Sequence, residues 1–232
     1  TEILLEHIEN YSHKETLNKI KGMYAFATWD RSKEKLTLVR DRFGEKPLYW
    51  LKEIDKYGNE RIIFSSDLLA IKKTSRQDFK ISKKGLDEYL RNGFIYSENT
   101  IFNNIKRLEP GSTIEFELDK KENNLIKIKK DKIKYWTIDE YNNQNSPIQK
   151  EQEYIDKLEG LLSKVIQETS QADSDIGMML SGGIDSSLIA SIYSKISTKK
   201  IKTFTAIFDE KEEGMHDEDE DDMKEEVDAT TG

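Results

Sequence analysis

The sequence has 232 residues and no cysteine, which excludes disulfide bridges and thiolate-ligated metal sites. Apolar residues make up 35%, and no apolar run approaches the roughly 20 residues needed to span a bilayer, so we expect a cytoplasmic protein with no membrane partner. The net charge of −8 is uneven, because residues 209–228 carry −11 and the remainder +3. An acidic run of this kind predicts a solvated helix face or a mobile segment, with metal binding as the alternative.

The first 108 residues combine helical and strand patterns. Apolar spacing predicts helices in residues 2–21, with a break near Tyr11–Ser12, and in 82–93, with Ser82 as N-cap and Gly93 as the stop. Strands are predicted at 22–30, 35–41 and 61–67, the last followed by a helical LLAIKK. Because a helical pattern starts at Thr1, which is not an initiator methionine, we expect the chain to be an internal fragment of a longer one.

Residues 109–136 alternate apolar and polar side chains around DKKENN, which predicts a half-exposed hairpin. Seven lysines lie between residues 120 and 134. Lysine on an outer strand is typical of a solvated face, and it also discourages pairing with other sheet edges. Nucleic-acid binding would require aromatic residues between the lysines, and only Tyr135 and Trp136 at the end of the hairpin come close, so no nucleic-acid partner is expected.

The pattern changes after a polar segment, residues 139–152, which we interpret as a linker. A helix at 154–170, a buried strand at 175–181, a helix at 186–196 and a strand at 200–208 follow. Strand, helix and strand at this spacing predict a parallel α/β unit, unlike the hairpins before the linker. The sequence therefore predicts two domains, residues 1–138 and 153–232.

The stretch MMLSGGIDSSLIA, residues 178–190, places Ser181, Gly182 and Gly183 between a predicted strand and a predicted helix. Free N–H groups and a helix dipole at such a junction attract phosphate, and glycine permits positive φ and close approach of a ligand. Ser181, Ser186 and Ser187 add hydroxyl donors. Asp185 is expected either to position a magnesium ion bound to phosphates or to cap the helix. An ordinary glycine-rich turn is the structural alternative.

The string from Ser181 to Ser186 resembles the S-G-G-x-D-S pyrophosphate loop of ATP-pyrophosphatases, which cleave ATP between the α- and β-phosphates. Residues 22–50, GMYAFATWDRSKEKLTLVRDRFGEKPLYW, resemble the glutaminase domain of glutamine-hydrolysing asparagine synthetases. IIFSSDLLAI, IKRLEPGS and YW follow in that family's order. The resemblance implies an α+β N-terminal-nucleophile antiparallel sandwich, followed by an α/β parallel-sheet ATP-pyrophosphatase domain, both partial.

The resemblance also implies a reaction and its site residues. Glutamine, aspartate and ATP are the expected substrates, with Mg²⁺ as cofactor, and the family also allows a homodimer for the full-length protein. The residues that match the family's ATP and pyrophosphate positions are Leu180, Ser181, Gly182, Gly183, Asp185, Ser186 and Ala206. Asp185 is the candidate magnesium ligand. Met23 is a candidate for the ammonia passage or a core methionine, and Arg40, Asp41 and Arg42 are interpreted as a structural ion-pair cluster.

The family's glutaminase nucleophile is an N-terminal cysteine, and this chain contains none, so we expect the chain by itself to be inactive. Two other functions stay open at this point. One is a related amidotransferase that aminates another carboxylate in surface-polysaccharide or antibiotic synthesis. The other is a nucleic-acid-modifying enzyme with a similar loop, which the lack of a basic stripe and of a cysteine pair disfavours.

Overall fold

The computed structural model describes residues 1–119, 127–142, 150–198 and 200–207. The chain divides into two compact units, Thr1–Gln144 and Asn145–Gly232. The acidic stretch 209–228, for which the sequence predicts a solvated helix face or a mobile segment, lies outside the described residues. None of the described helices combines the length and the apolar composition that crossing a membrane would require.

The first unit is an α+β arrangement of two antiparallel sheets with short helices. Its elements are α1 (Glu2–Asn10), α2 (His13–Lys19), β1 (Ala25–Asp30), β2 (Lys35–Arg40), β3 (Tyr49–Ile54), β4 (Glu60–Ser65), α3 (Leu68–Thr74), α4 (Lys83–Asn92), β5 (Lys106–Arg107), β6 (Ser112–Asp119), β7 (Lys127–Lys134) and α5 (Asp139–Asn142). One sheet has the order β1-β2-β6-β7 and the other β4-β3-β5. The predicted hairpin is confirmed as β6–β7, and its lysine-rich strand lies at a sheet edge.

Apolar side chains from both sheets form the core of this unit. Leu38, Ile114 and Phe116 of the four-stranded sheet are buried, and Trp50 of the three-stranded sheet packs against them. The ring centroids of Trp50 and Phe116 lie 5.3 Å apart. These contacts hold the two sheets face to face, because they remove the apolar side chains between the sheets from water.

Short polar side chains set the helix ends where the sequence predicted them. The Ser12 side chain accepts a hydrogen bond from the Glu15 N–H, which starts α2 after the break between the first two helices. Ser82 caps α4 in the same way, with a 3.1 Å bond from the Gly85 N–H. Gly93 ends α4 in the left-handed region, at φ +77°.

Two strands of the second sheet were not predicted. β3 contains Glu53, which is buried and paired with Arg61 and with the Ser75 hydroxyl, so a charged residue interrupts the apolar alternation on the face that also carries Leu51. β5 has only two residues, too few for any periodicity. Within the polar segment 139–152, which we interpret as a linker, α5 occupies the first four residues and a further helix begins at Glu151.

Arg40 and Asp41 hold the turn after β2, but not as the predicted ion-pair cluster. The Arg40 guanidinium donates to the backbone carbonyls of Lys46 (2.8 Å), Leu108 (2.6 Å) and Gly44. The Asp41 carboxylate accepts backbone N–H groups, of Tyr24, Phe43, Glu45 and Lys46 at 3.0–3.4 Å. Backbone groups of the turn therefore compensate the two buried charges, which costs less than leaving those charges buried without partners.

A pair of tyrosines ties this turn to the end of the β6–β7 hairpin. The Tyr135 hydroxyl donates to the Arg40 carbonyl at 2.8 Å and lies 3.0 Å from the Tyr24 hydroxyl. Burial raises the pKa of both phenols, so both stay protonated and remain able to donate.

We expect Asp41→Asn to lower the free energy of unfolding of the first unit by about 2–3 kcal/mol, because an amide nitrogen cannot accept the N–H groups that a carboxylate oxygen accepts. All three tryptophans (Trp29, Trp50 and Trp136) belong to this unit, so urea unfolding followed by tryptophan fluorescence reports on it selectively. Asp87→Asn on the exposed side of α4 is the matched control and should leave the midpoint nearly unchanged. Equal midpoints for the two variants would contradict the role of Asp41.

The second unit contains a parallel strand pair with two longer helices. α6 (Glu151–Thr169) precedes β8 (Gly177–Met179), and α7 (Ile184–Ile196) connects β8 to β9 (Lys202–Phe204). β8 and β9 pair in parallel, as the sequence predicted. The prediction that β8 is buried is wrong, since Gly177 is exposed and Met179 is 67% exposed. Two short strands leave much of their side-chain surface uncovered in the described part of this unit.

We expect substitution by alanine to have opposite effects on stability at two helical glycines. A Cβ at Gly85 in α4 would lie 2.2 Å from the Thr100 carbonyl oxygen, whereas a Cβ at Gly160 in α6 would meet nothing within 4 Å. Gly160→Ala should therefore raise the stability of the second unit by about 0.5–1 kcal/mol through helix propensity. Gly85→Ala should lower that of the first unit by about 1–3 kcal/mol, because backbone must move.

Thermal unfolding followed by circular dichroism measures the Gly160→Ala variant, and tryptophan fluorescence measures the Gly85→Ala variant. Stabilisation by both substitutions would show that Thr100 moves away at no cost, contrary to the packing described.

Candidate functional site

Ser181, Gly182 and Gly183 connect the carboxyl end of β8 to the first turn of α7. β8 ends at Met179, Gly183 is the N-cap residue, and the helix begins at Ile184. The strand–loop–helix order predicted for this stretch is thus present. In a parallel α/β unit, ligands bind at the carboxyl ends of the strands, which is where this loop lies.

The two loop glycines have different backbone conformations. Gly182 has φ +77°, in the left-handed region that a residue with a side chain rarely adopts. Gly183 has φ −76° and ψ 162°, which any residue can adopt, and a Cβ there would approach only the Ser181 hydroxyl, at 3.6 Å. The turn therefore requires glycine at 182. At 183 the chain itself leaves space for a side chain, and this space is open to a ligand.

Two serine hydroxyls meet across the loop. Ser181 Oγ and Ser186 Oγ lie 3.1 Å apart, and the Ser186 hydroxyl also donates to the Gly183 carbonyl at 3.2 Å. The loop thus brings together two hydroxyls that are five residues apart in the sequence. Both can turn outward to donate to a bound anion.

The first turn of α7 supplies N–H groups to the same region. Its first intrahelical bond runs from the Ser187 N–H to the Gly183 carbonyl at 3.1 Å. The first N–H groups of a helix have no partner within the helix, and the helix dipole adds partial positive charge there. Backbone donors, hydroxyls and the dipole together make this loop a candidate anion-binding site.

Asp185 lies in the first turn of α7 and is exposed. The helix has Gly183 as its N-cap and no side-chain cap bond, so the alternative that Asp185 caps the helix is wrong. Across the described ranges, no three His, Asp or Glu side chains gather into a metal-binding group. A magnesium ion at Asp185 would therefore take most of its oxygen ligands from phosphate and water, which is how Mg²⁺ is usually held.

The other predicted nucleotide positions lie beside the loop. Leu180 precedes it and is half-buried, and Ala206 follows β9 and is exposed. The paired strands end at Met179 and Phe204, which brings Leu180 and Ala206 to the same edge of the sheet as the glycines. The sequence reasoning did not identify Thr205, whose hydroxyl donates to the Leu180 carbonyl at 2.7 Å. A threonine in a β-strand pattern gives no signal of such a bond.

Met23 belongs to the first unit and is 56% exposed, so the prediction of a plain core methionine is wrong.

In the second unit, a cavity of about 450 Å³ lies at the opposite end of the strands from the loop. It is lined by residues that precede β8, including Asp175, and by the carboxyl-terminal turns of α6 and α7. The loop itself is therefore an open surface site and not part of that cavity.

Comparison with known families assigns both parts of the chain. A glutamine amidotransferase domain model matches residues 1–134, and an asparagine synthase model matches residues 157–232. The chain belongs to the glutamine amidotransferase domain family, and the second match is partial and contains the Ser181–Ser186 loop. The two matches follow the order in which the sequence resemblance had placed the two domains.

The relatives are asparagine synthetases. The chain is 32% identical over 222 residues to the putative asparagine synthetase [glutamine-hydrolyzing] 2 of Methanocaldococcus jannaschii, covering 94% of this chain and 39% of the relative. It is 29% identical to asparagine synthetase [glutamine-hydrolyzing] 1 of Bacillus subtilis, covering 90% and 30%. The resemblance to glutamine-hydrolysing asparagine synthetases thus extends over most of this chain, which spans well under half the length of these relatives.

Proposed function

We propose that the chain contributes to an ATP-dependent, glutamine-hydrolysing asparagine synthetase, a carbon–nitrogen ligase. In this proposal residues 1–138 belong to an N-terminal-nucleophile glutaminase-like domain and residues 153–232 to an ATP-pyrophosphatase domain. The observation that carries it is the geometry of the Ser181–Ser186 loop at the start of α7, together with family matches on both sides of residue 150. Glutamine-dependent amidotransferases need both activities, because ammonia must reach a carboxyl group that has been activated.

The proposed reaction has two steps on the acceptor. A side-chain carboxylate oxygen of aspartate attacks the α-phosphorus of ATP, and the bond from that phosphorus to the bridging oxygen breaks, so pyrophosphate leaves. Ammonia from glutamine then attacks the acyl carbon of the β-aspartyl-adenylate, the carbon–oxygen bond to AMP breaks, and asparagine forms. Adenylation is needed because a carboxylate oxygen is a poor leaving group, whereas AMP is a good one.

The loop residues would stabilise the departing pyrophosphate. Backbone N–H groups around Gly182 and Gly183 and the hydroxyls of Ser181 and Ser186 would donate to its oxygens, where negative charge develops as the bond breaks. Asp185 would hold Mg²⁺, which supplies further charge neutralisation on the phosphates. Leu180 and Ala206 would contact the nucleotide from the ends of β8 and β9. Met23 is proposed to line the ammonia passage.

We expect the 232-residue chain to bind inorganic pyrophosphate weakly, and Ser186→Ala to weaken that binding about three- to tenfold, the loss of one charge-assisted hydrogen bond in an exposed site. Ser191→Ala, farther along α7, is the matched control. Isothermal titration calorimetry with Mg²⁺ present measures all three proteins. Equal affinity of the Ser186→Ala variant and the wild-type chain would remove Ser186 from the proposed site.

An assay of glutamine hydrolysis tests whether the 232-residue chain lacks the glutaminase activity that we propose for the complete protein. The 232-residue chain should release no ammonia from glutamine, because it has no cysteine to supply the thiolate. The product of the complete reading frame should form asparagine, AMP and pyrophosphate from aspartate, glutamine and ATP, as chromatography of the products would show. Turnover of another carboxylate in place of aspartate by that product would overturn the proposed acceptor.

A further inference from the structure

Leu180, the residue between β8 and the loop, is held through both of its backbone polar groups. Its N–H donates to the Phe204 carbonyl at 2.8 Å, and its carbonyl accepts the Thr205 hydroxyl at 2.7 Å. Two consecutive residues at the end of β9 therefore fix the point where the chain leaves the sheet. One of these bonds continues the sheet, and the other comes from a side chain.

The bond from the Thr205 hydroxyl to the Leu180 carbonyl lies just beyond the last paired residues of the two parallel strands. The paired residues end with Met179 opposite Phe204. If the ladder continued, the Leu180 carbonyl would accept a backbone N–H from the neighbouring strand. The Thr205 hydroxyl donates to it instead, so the backbone after β9 can turn away while Leu180 stays fixed.

Packing of Phe204 on Gly177 places Thr205 beside Leu180. A Cβ at position 177 would lie 2.5 Å from Phe204 Cε2, so the ring occupies the space that the glycine leaves. Sliding β9 by one residue would put the Phe204 ring against a side chain and move Thr205 away from Leu180. Strand register and the hydroxyl bond are thus coupled.

We infer that Thr205 is a positioning residue for the anion-binding loop, an inference that rests on the proposed binding of pyrophosphate there. The Leu180 carbonyl and the Ser181 N–H belong to one planar trans peptide and point in opposite directions. By holding the carbonyl, Thr205 fixes the direction of the Ser181 N–H and the start of the turn at Gly182. Thr205 need not touch the ligand to do so.

Thr205→Val tests this role, because it keeps the β-branched shape and removes the hydroxyl, while Thr205→Ser restores the hydroxyl. Thr203→Val, two residues earlier on β9, is the matched control. Two quantities are measured for the 232-residue chain: affinity for inorganic pyrophosphate by calorimetry, and amide hydrogen exchange of Leu180 and Ser181 by NMR without ligand. We expect Thr205→Val to weaken pyrophosphate binding about three- to tenfold and to speed exchange at Leu180 about tenfold. Thr205→Ser should lie within about twofold of wild type.

The two measurements distinguish a failure of the positioning role of Thr205 from a failure of the proposed pyrophosphate binding. A wild-type chain that binds no pyrophosphate overturns the proposed function and the ligand half of the inference, while exchange at Leu180 still shows whether Thr205 fixes the loop. Unchanged exchange and affinity in Thr205→Val would overturn the positioning role. Failure of Thr205→Ser to restore either quantity would also overturn it, since the hydroxyl by itself would then not account for the effect.

Discussion

The second unit depends on one constraint, the release of the chain from a parallel strand into a helix within a few residues. β8 ends at Met179 and α7 begins at Ile184, so four residues reverse the backbone direction. Gly182 makes this short turn in the left-handed conformation, and the neighbouring strand fixes the start of the turn through Leu180. The turn leaves N–H groups, hydroxyls and the positive end of a helix at one edge, so the features suited to an anion follow from the connection itself.

In the first unit, charged side chains hold a turn that follows a strand. The side chains of Arg40 and Asp41 are buried at the turn after β2, although most of the other residues of the turn are exposed. Arg40 and Asp41 bind backbone groups directly, one as donor and the other as acceptor, which explains why charges can be buried there without pairing with each other. In the second unit the turn presents backbone N–H groups to the proposed ligand site, whereas in the first unit buried side chains bind several backbone groups of the turn.

Local signals were predictable from the sequence, and long-range ones were not. Helix ends at Ser82 and Gly93 and the lysine-rich edge strand depend on residues close in sequence, so composition and spacing sufficed. β3 was missed because its buried Glu53 is satisfied by residues 8 and 22 positions away. Of the candidate site, the glycine turn and the parallel strand pair were predicted, but the exposure of Met179 and the Thr205 bond depend on tertiary contacts that sequence spacing does not reveal.

The contacts that fix the conformation of the loop bear on the entropy that the loop would lose on binding a ligand. A loop that is shaped by its ligand loses conformational entropy on binding, whereas one that is already fixed binds with less cost. Here Gly182 is in the left-handed conformation, the Ser181 and Ser186 hydroxyls are 3.1 Å apart, and both backbone polar groups of Leu180 are hydrogen-bonded to residues of the neighbouring strand segment. These contacts come from residues 177–205 of the second unit. The shape of the loop is therefore determined by contacts within the β8–α7–β9 unit, and this reduces the entropy that the proposed binding of an anion would cost.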